Sequence, residues 1–236
     1  MSTFVLVHGA WHGSWCWKRV RKILQAQGHQ VFTPTLTGVA DRSHLNAPSI
    51  NLDTHIEDVV NLIHWEELSD IVLCGHSYGG MVVTGIADRV PDRIRALVYL
   101  DAFVPEDGQN TVQHIPPEQA AGLMEGVKAV GDGWKMPPIP AEVFNLNEAD
   151  RDWVNSQCTM QSAETFQQPI RLTGGIDKIS NVTYIRASGF EEGSPFPPFL
   201  EKARSKGWAT HEVDCGHDVM VDKPEELSQL LLEAAA

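Results

Sequence analysis

An α/β fold with a mainly parallel sheet is predicted for this chain, on three observations. Short apolar, β-branched runs recur along it, helical patterns fall between most of them, and the runs are apolar nearly throughout rather than alternating. Strands of that kind are buried on both faces, which places helices above and below a parallel sheet.

The strand-length runs are Thr3 to His8, Gln30 to Thr33, Ile71 to Cys74, Ala96 to Leu100, Val182 to Ile185 and Thr210 to Val213. The intervening helical patterns are Trp15 to Ala26, Leu52 to His64, Gly79 to Arg89 and Pro198 to Ser205, and a last one starts at Pro224. Between Pro105 and Ile179 the alternation fails. That stretch carries Pro116 and Pro117, the run WKMPPIP and amphipathic pieces such as EADRDWV, but no βα unit. It also holds Leu123, Met124, Val127, Phe144, Leu146, Trp153 and Phe166, too many apolar side chains for a linker. The expectation is one domain, with residues 1–104 and 182–236 as core and 105–181 as an inserted helical cap.

Composition narrows the function. A formal charge of −13 over 236 residues, with 18 Lys and Arg, excludes a phosphate-coating surface, so nucleic acid is not an expected partner. No apolar run approaches the ~20 residues of a membrane span, and the start MSTFVLVH has no signal-peptide pattern, so a cytoplasmic location is expected. Cys16, Cys74, Cys158 and Cys215 lack C-x-x-C spacing and are read as reduced thiols.

In IVLCGHSYGG, Ser77 follows a buried strand and opens a helix between Gly75 and Gly79. This is the context of a nucleophile elbow, in which a tight turn lifts the hydroxyl clear of the sheet at a helix N-terminus. A serine that merely caps the helix is the plainer reading, which the preceding strand and following helix disfavour. His217, in the loop between the last strand and the last helix, shares the carboxyl edge of the sheet with Ser77 and is the candidate base. His44, His55, His64, His114 and His211 are read as ordinary structural or surface histidines. The loop VHGAWHG after the first strand supplies the Ala10 N–H as natural partner to the Tyr78 N–H in an oxyanion hole, with Gly9 allowing close approach.

With these pieces placed, FVLVHGAWHGSWCW, CGHSYGGM, LVYLDAFVP and CGHD resemble the α/β-hydrolase superfamily, within it the subgroup of plant methylesterases, hydroxynitrile lyases and small bacterial esterases. The resemblance covers residues 3 to 105 and 182 to 232 and is weak across the cap. It implies an α/β-hydrolase fold with a six-stranded sheet, no cofactor, no metal, a small-molecule ester as partner, and homodimers as one assembly known in the subgroup.

The acid departs from the pattern that the resemblance implies. The loop after the penultimate strand, ASGFEEGS, has no Asp. Either Glu191 or Glu192 takes the role, or the acid has moved to Asp101 at the end of the preceding strand; Asp101 is preferred because a strand end holds a side chain rigidly. The lyases of the subgroup place Thr after the first-strand His and Lys after the catalytic His, where this chain has Gly9 and Asp218, and a carboxylate at 218 would repel cyanide. The expected activity is therefore hydrolysis of a small, largely apolar carboxylic ester. Cyanohydrin-type C–C cleavage, lactone hydrolysis and a non-catalytic ligand receptor stand as alternatives. Gly9, Trp11, Phe103 and Trp134 are the first candidates for contacting substrate, with Tyr78, Met136, Phe144, Trp153 and Phe166 behind them.

Overall fold

A computed structural model describes all residues 1–236. Strand β1 (Thr3–Val7) leads through a 3-10 turn into helix α1 (Lys18–Ala26) and the short strand β2 (Gln30–Phe32). Helix α2 (Leu52–Trp65), strand β3 (Ile71–His76), helix α3 (Gly79–Arg89) and strand β4 (Ile94–Leu100) follow. Asn51 caps α2 by accepting from the Thr54 N–H, which satisfies an otherwise orphaned donor at the helix start.

Residues 105–181 contain helix α4 (Pro117–Val130), strand β5 (Lys135–Met136), helix α5 (Glu148–Gln157), strand β6 (Gln161–Ser162) and helix α6 (Glu164–Gln167). The antiparallel β5–β6 ribbon is absent from the sequence expectation, because two-residue strands carry no periodicity to read. The chain then returns to the core with β7 (Val182–Ala187), α7 (Pro197–Ser205), β8 (Ala209–Val213), α8 (Val219–Asp222) and α9 (Pro224–Ala234).

Six strands form one parallel sheet in the order β2-β1-β3-β4-β7-β8. Side chains alternate across it. Val5, Val7, Ile71, Leu73, Leu97, Tyr99, Val182 and Tyr184 pack in the layer that includes α2, α3 and α7. Phe4, Leu6, Val72, Cys74, Val98, Leu100, Ile185 and Ala187 pack in the opposite layer, against α1, α8 and α9. The period of two, apolar on both sides, is the physical reason these runs read as continuous hydrophobic strands. The carboxyl ends of β1, β3, β4, β7 and β8 converge on one edge, where Ala10, Ser77, Asp101 and His217 lie. No helix is long and apolar enough to cross a membrane.

Candidate active site

Ser77 occupies the turn between β3 and α3 with φ of 56°, a left-handed conformation costly for a residue with a Cβ. The surrounding glycines make room for it. A Cβ on Gly75 would stand 2.5 Å from the Gly79 carbonyl oxygen, and one on Gly79 would stand 2.8 Å from that of His8. The turn is tied into the sheet by the Ser77 N–H donating to Leu100 O at 3.2 Å and the Phe103 N–H donating to Ser77 O at 3.2 Å.

Asp101 follows β4 directly, is fully buried, and has φ of 40°. Its Oδ2 lies 2.6 Å from His217 Nδ1. Its Oδ1 accepts from Arg186 Nη1 at 2.6 Å and from the Ala187 N–H at 3.2 Å. A carboxylate opposite Nδ1 fixes the His217 tautomer as Nδ1–H and leaves Nε2 with its lone pair. The His217 backbone N–H donates to Phe144 O at 2.9 Å, and its ring stacks on Phe196 at 4.9 Å between centroids. Neither Glu191 nor Glu192 hydrogen-bonds the imidazole; Glu192 stands instead at the rim of the cavity described below.

The N–H groups of Ala10 and Tyr78 have no acceptor in the protein. The loop carrying Ala10 is held from several sides. The Trp11 N–H donates to Gln161 Oε1 at 2.9 Å, the Trp11 indole N–H to Met136 O at 3.2 Å, and the Thr159 N–H to Trp11 O at 3.0 Å. Residues of the 105–181 segment thus brace the loop after β1, including Trp11, whose φ is 64°. Tyr78 itself is anchored by its hydroxyl to His55 Nδ1 at 3.0 Å and stacks on Phe166 at 5.2 Å. His55 Nε2–H donates to Thr37 O at 2.9 Å; burial in this setting lowers its pKa to about 4. His8 donates from Nδ1 to Gly9 O and accepts the Leu36 N–H at Nε2, and burial lowers its pKa to about 3.

A cavity of about 410 Å³ opens over Ser77 and His217. Phe103, Phe144, Phe166, Phe190 and Phe196 wall it with Trp11 and the Pro137–Pro140 run, and no Lys or Arg lines it. Of the residues the sequence offered for contacting substrate, Trp11 and Phe103 line this cavity. Trp134 and Gly9 are not part of the lining: Trp134 lies beneath the Lys135 ammonium at 5.2 Å, and a Cβ on Gly9 would meet Ser77 Cβ at 2.9 Å, so Gly9 serves the turn rather than the substrate. Tyr78, Met136 and Trp153 are likewise outside the lining, Trp153 packing edge-on against Trp15 at 5.2 Å. Asp218 does not face the cavity at all. It is fully buried between His12 and His76, so repulsion of a leaving anion by Asp218, expected from the sequence, is not a feature of the site.

Several residues here were not singled out by the sequence. Arg186 is the one charged residue of the fully buried strand β7, and that anomaly was a signal. His12 and His76 stand inside the quoted motifs, whereas Gln161 carried no signal. No group of three His, Cys, Asp or Glu side chains is arranged to hold a metal ion.

Three comparisons bear on this geometry. The model of the alpha/beta hydrolase family matches residues 4–230. A carbendazim hydrolyzing esterase from Nocardioides sp. (strain SG-4G) is 47% identical, the match covering 98% of this chain and 98% of that protein. Methylesterase 10 of Arabidopsis thaliana is 29% identical, over 99% of this chain and 91% of its own length. Among solved structures, an extracellular alpha/beta-hydrolase from a Paenibacillus species superposes with a TM-score of 0.85 at 24% identity, covering 99% of both chains, a likeness of fold.

Proposed function

This chain belongs to the alpha/beta hydrolase family, and on that premise we propose that it cleaves small, largely apolar carboxylic esters through Ser77, His217 and Asp101. The observation that carries this reading is the 2.6 Å contact between His217 Nδ1 and Asp101 Oδ2, with Ser77 and His217 opening onto one apolar cavity.

In the reaction, His217 Nε2 takes the Ser77 proton as Oγ attacks the ester carbonyl. The N–H groups of Ala10 and Tyr78 donate hydrogen bonds to the carbonyl oxygen as it becomes negative; with no acceptor in the protein, both are available to it. Collapse expels the alcohol, which takes its proton from His217, and an acyl-enzyme remains on Ser77. Water, deprotonated by His217, attacks the acyl carbon, and collapse releases the acid as Ser77 Oγ takes that proton back from His217. Asp101 orients the imidazole and balances its charge while it is protonated. The segment 105–181 acts as the cap that closes the cavity and braces the Ala10 loop.

A neutral aromatic ester suits walls made of phenylalanine, tryptophan and proline, and carbendazim belongs in the substrate set because a 47% identical relative hydrolyses it. Cyanohydrin cleavage lacks a cation in the cavity to hold the leaving cyanide. The test is one plate of carbendazim, short p-nitrophenyl esters, aromatic methyl esters and mandelonitrile, with wild-type and Ser77→Ala protein. Ester turnover that drops by about 10⁴-fold or more in Ser77→Ala is expected. Binding of esters without turnover by the wild type would favour a receptor, and cyanide release would favour the lyase.

A further inference from the structure

Behind the Ala10 loop lies a buried polar cluster that the chemistry above does not use. His12 has Nδ1 2.7 Å from Ala10 O and Nε2 3.3 Å from Asp218 Oδ2. A neutral imidazole has one N–H, and would turn a lone pair toward either the carbonyl or the carboxylate. With an acceptor at each nitrogen, the ring is satisfied only as the imidazolium. Asp218, fully buried, supplies the compensating charge, which such a cation requires. The cluster continues. Asp218 Oδ1 is 3.8 Å from His76 Nε2, and that nitrogen donates to the His217 carbonyl oxygen at 3.0 Å.

The chain of contacts therefore runs from one peptide of the oxyanion loop to the backbone of the base. On the other side of Ala10, the Gly9 carbonyl oxygen is held by His8 Nδ1 at 2.8 Å. Both peptide planes flanking the Ala10 Cα are thus fixed by a buried histidine, and only that on the His12 side depends on a charge. The loop needs such a hold because its next residue, Trp11, is at φ of 64°.

We propose that the His12–Asp218 ion pair is a positioning device that keeps the Ala10 N–H aimed at the oxyanion and ties that loop to the His217 loop. This rests on the esterase reading of the site. His12 and Asp218 act through Ala10 and His217, and neither touches substrate. Burial pushes the His12 imidazole down, but Cys158 and Asp218 outweigh it and hold it well above its ordinary range. Besides Asp218, the titratable groups around His12 are Cys158, with Sγ 4.0 Å from Nδ1, His76, 6.3 Å away between ring centroids, and the buried His8 and Cys16.

Two measurements test the device. The first is the ¹⁵N spectrum of the ring nitrogens of His-labelled wild-type protein at pH 8, which needs neither a variant nor activity. Both His12 nitrogens should be protonated; a neutral His12 would overturn the ion pair whatever the enzyme does. The second is kinetic, on the best ester from the panel, with His12→Gln, Asp218→Asn and the double variant, each checked for its melting temperature. Displacing one oxyanion donor should lower kcat by about 10- to 100-fold, with KM moving less than about 3-fold. Inhibition by a trifluoromethyl ketone, which forms the oxyanion, should weaken in parallel with kcat. The double variant should be no worse than the poorer single one, since the two residues act as a unit. Folded variants with wild-type kcat, a rise in KM alone, or additive losses would sink the proposal. Loss of the esterase reading itself shows differently, as wild-type turnover that survives Ser77→Ala.

Discussion

Asp101 divides its carboxylate between two partners, His217 at Oδ2 and Arg186 at Oδ1, each at 2.6 Å. A single buried side chain therefore joins the His217 imidazole to the end of the neighbouring strand. This is how an acid located after β4 can serve a histidine located after β8: β7 lies between them, and Arg186 fills the place near its end.

Asp101→Asn should preserve the shape of the site and lower kcat by about 10³- to 10⁴-fold, because an amide there no longer balances the imidazolium and favours the wrong tautomer. Glu191→Gln and Glu192→Gln should stay within about 3-fold of wild type on a neutral ester. The comparison is of kcat at saturating substrate, and a larger loss in Glu191→Gln than in Asp101→Asn would move the acid to that loop.

Arg186→Met leaves Asp101 buried without its cation. Arg186 is itself buried and also donates to the carbonyls of Ala187 and Phe190, so the loop that carries Phe190 into the cavity wall loosens as well. Breaking a buried pair from one side costs about 3–5 kcal/mol, and denaturant unfolding of the variant should show a loss of that size. A shift under about 1 kcal/mol would mean that Asp101 is held well enough by His217 and the Ala187 N–H alone.

The sequence made some of this legible and hid the rest, for identifiable reasons. The meeting of Ser77, His217 and Asp101 on one edge was readable because each follows a strand, and parallel strands bring their carboxyl ends to one edge whatever the loops contain. The glycines were readable because a close backbone approach leaves no room for a Cβ. The partners of His12 were not, since Asp218 lies 206 positions away and nothing local distinguishes a buried imidazolium from a surface histidine. The cavity wall was half readable: Trp11 and Phe103 lie in the loops that follow β1 and β4, whereas Trp134, outside the lining, stands just before a two-residue ribbon that has no sequence signature.

The cavity has a carboxylate, Glu192, and no cationic side chain in its lining. Esters that carry a negative charge on the acyl group should therefore react more slowly than neutral ones of equal size. Glu192→Gln should narrow the gap by a few-fold, about 2- to 5-fold in kcat/KM, since the group lies at an exposed rim where water and salt screen it. The effect should shrink between 20 mM and 500 mM salt. An equal gain for neutral and anionic esters would assign Glu192 a steric role instead.

Acid should destabilise the fold through His8 and His55, and the sign follows from their pKa values of about 3 and about 4 against an ordinary 6.5. In the folded protein burial keeps both rings neutral, with His8 accepting the Leu36 N–H and His55 accepting the Tyr78 hydroxyl. Once unfolded, each takes up a proton below about pH 6.5, so the unfolded state binds more protons as pH falls. Stability is complete above that pH and is lost on the way down toward the folded-state values, by about 1.4 kcal/mol per pH unit for each ring. Between pH 6 and 4.5 the two together should lower the unfolding free energy by up to about 4 kcal/mol, read from urea titrations at each pH. His55→Gln, which cannot charge, should reduce the slope by close to one proton while lowering stability at pH 7. An unchanged slope in that variant would show that the acid response comes from other groups.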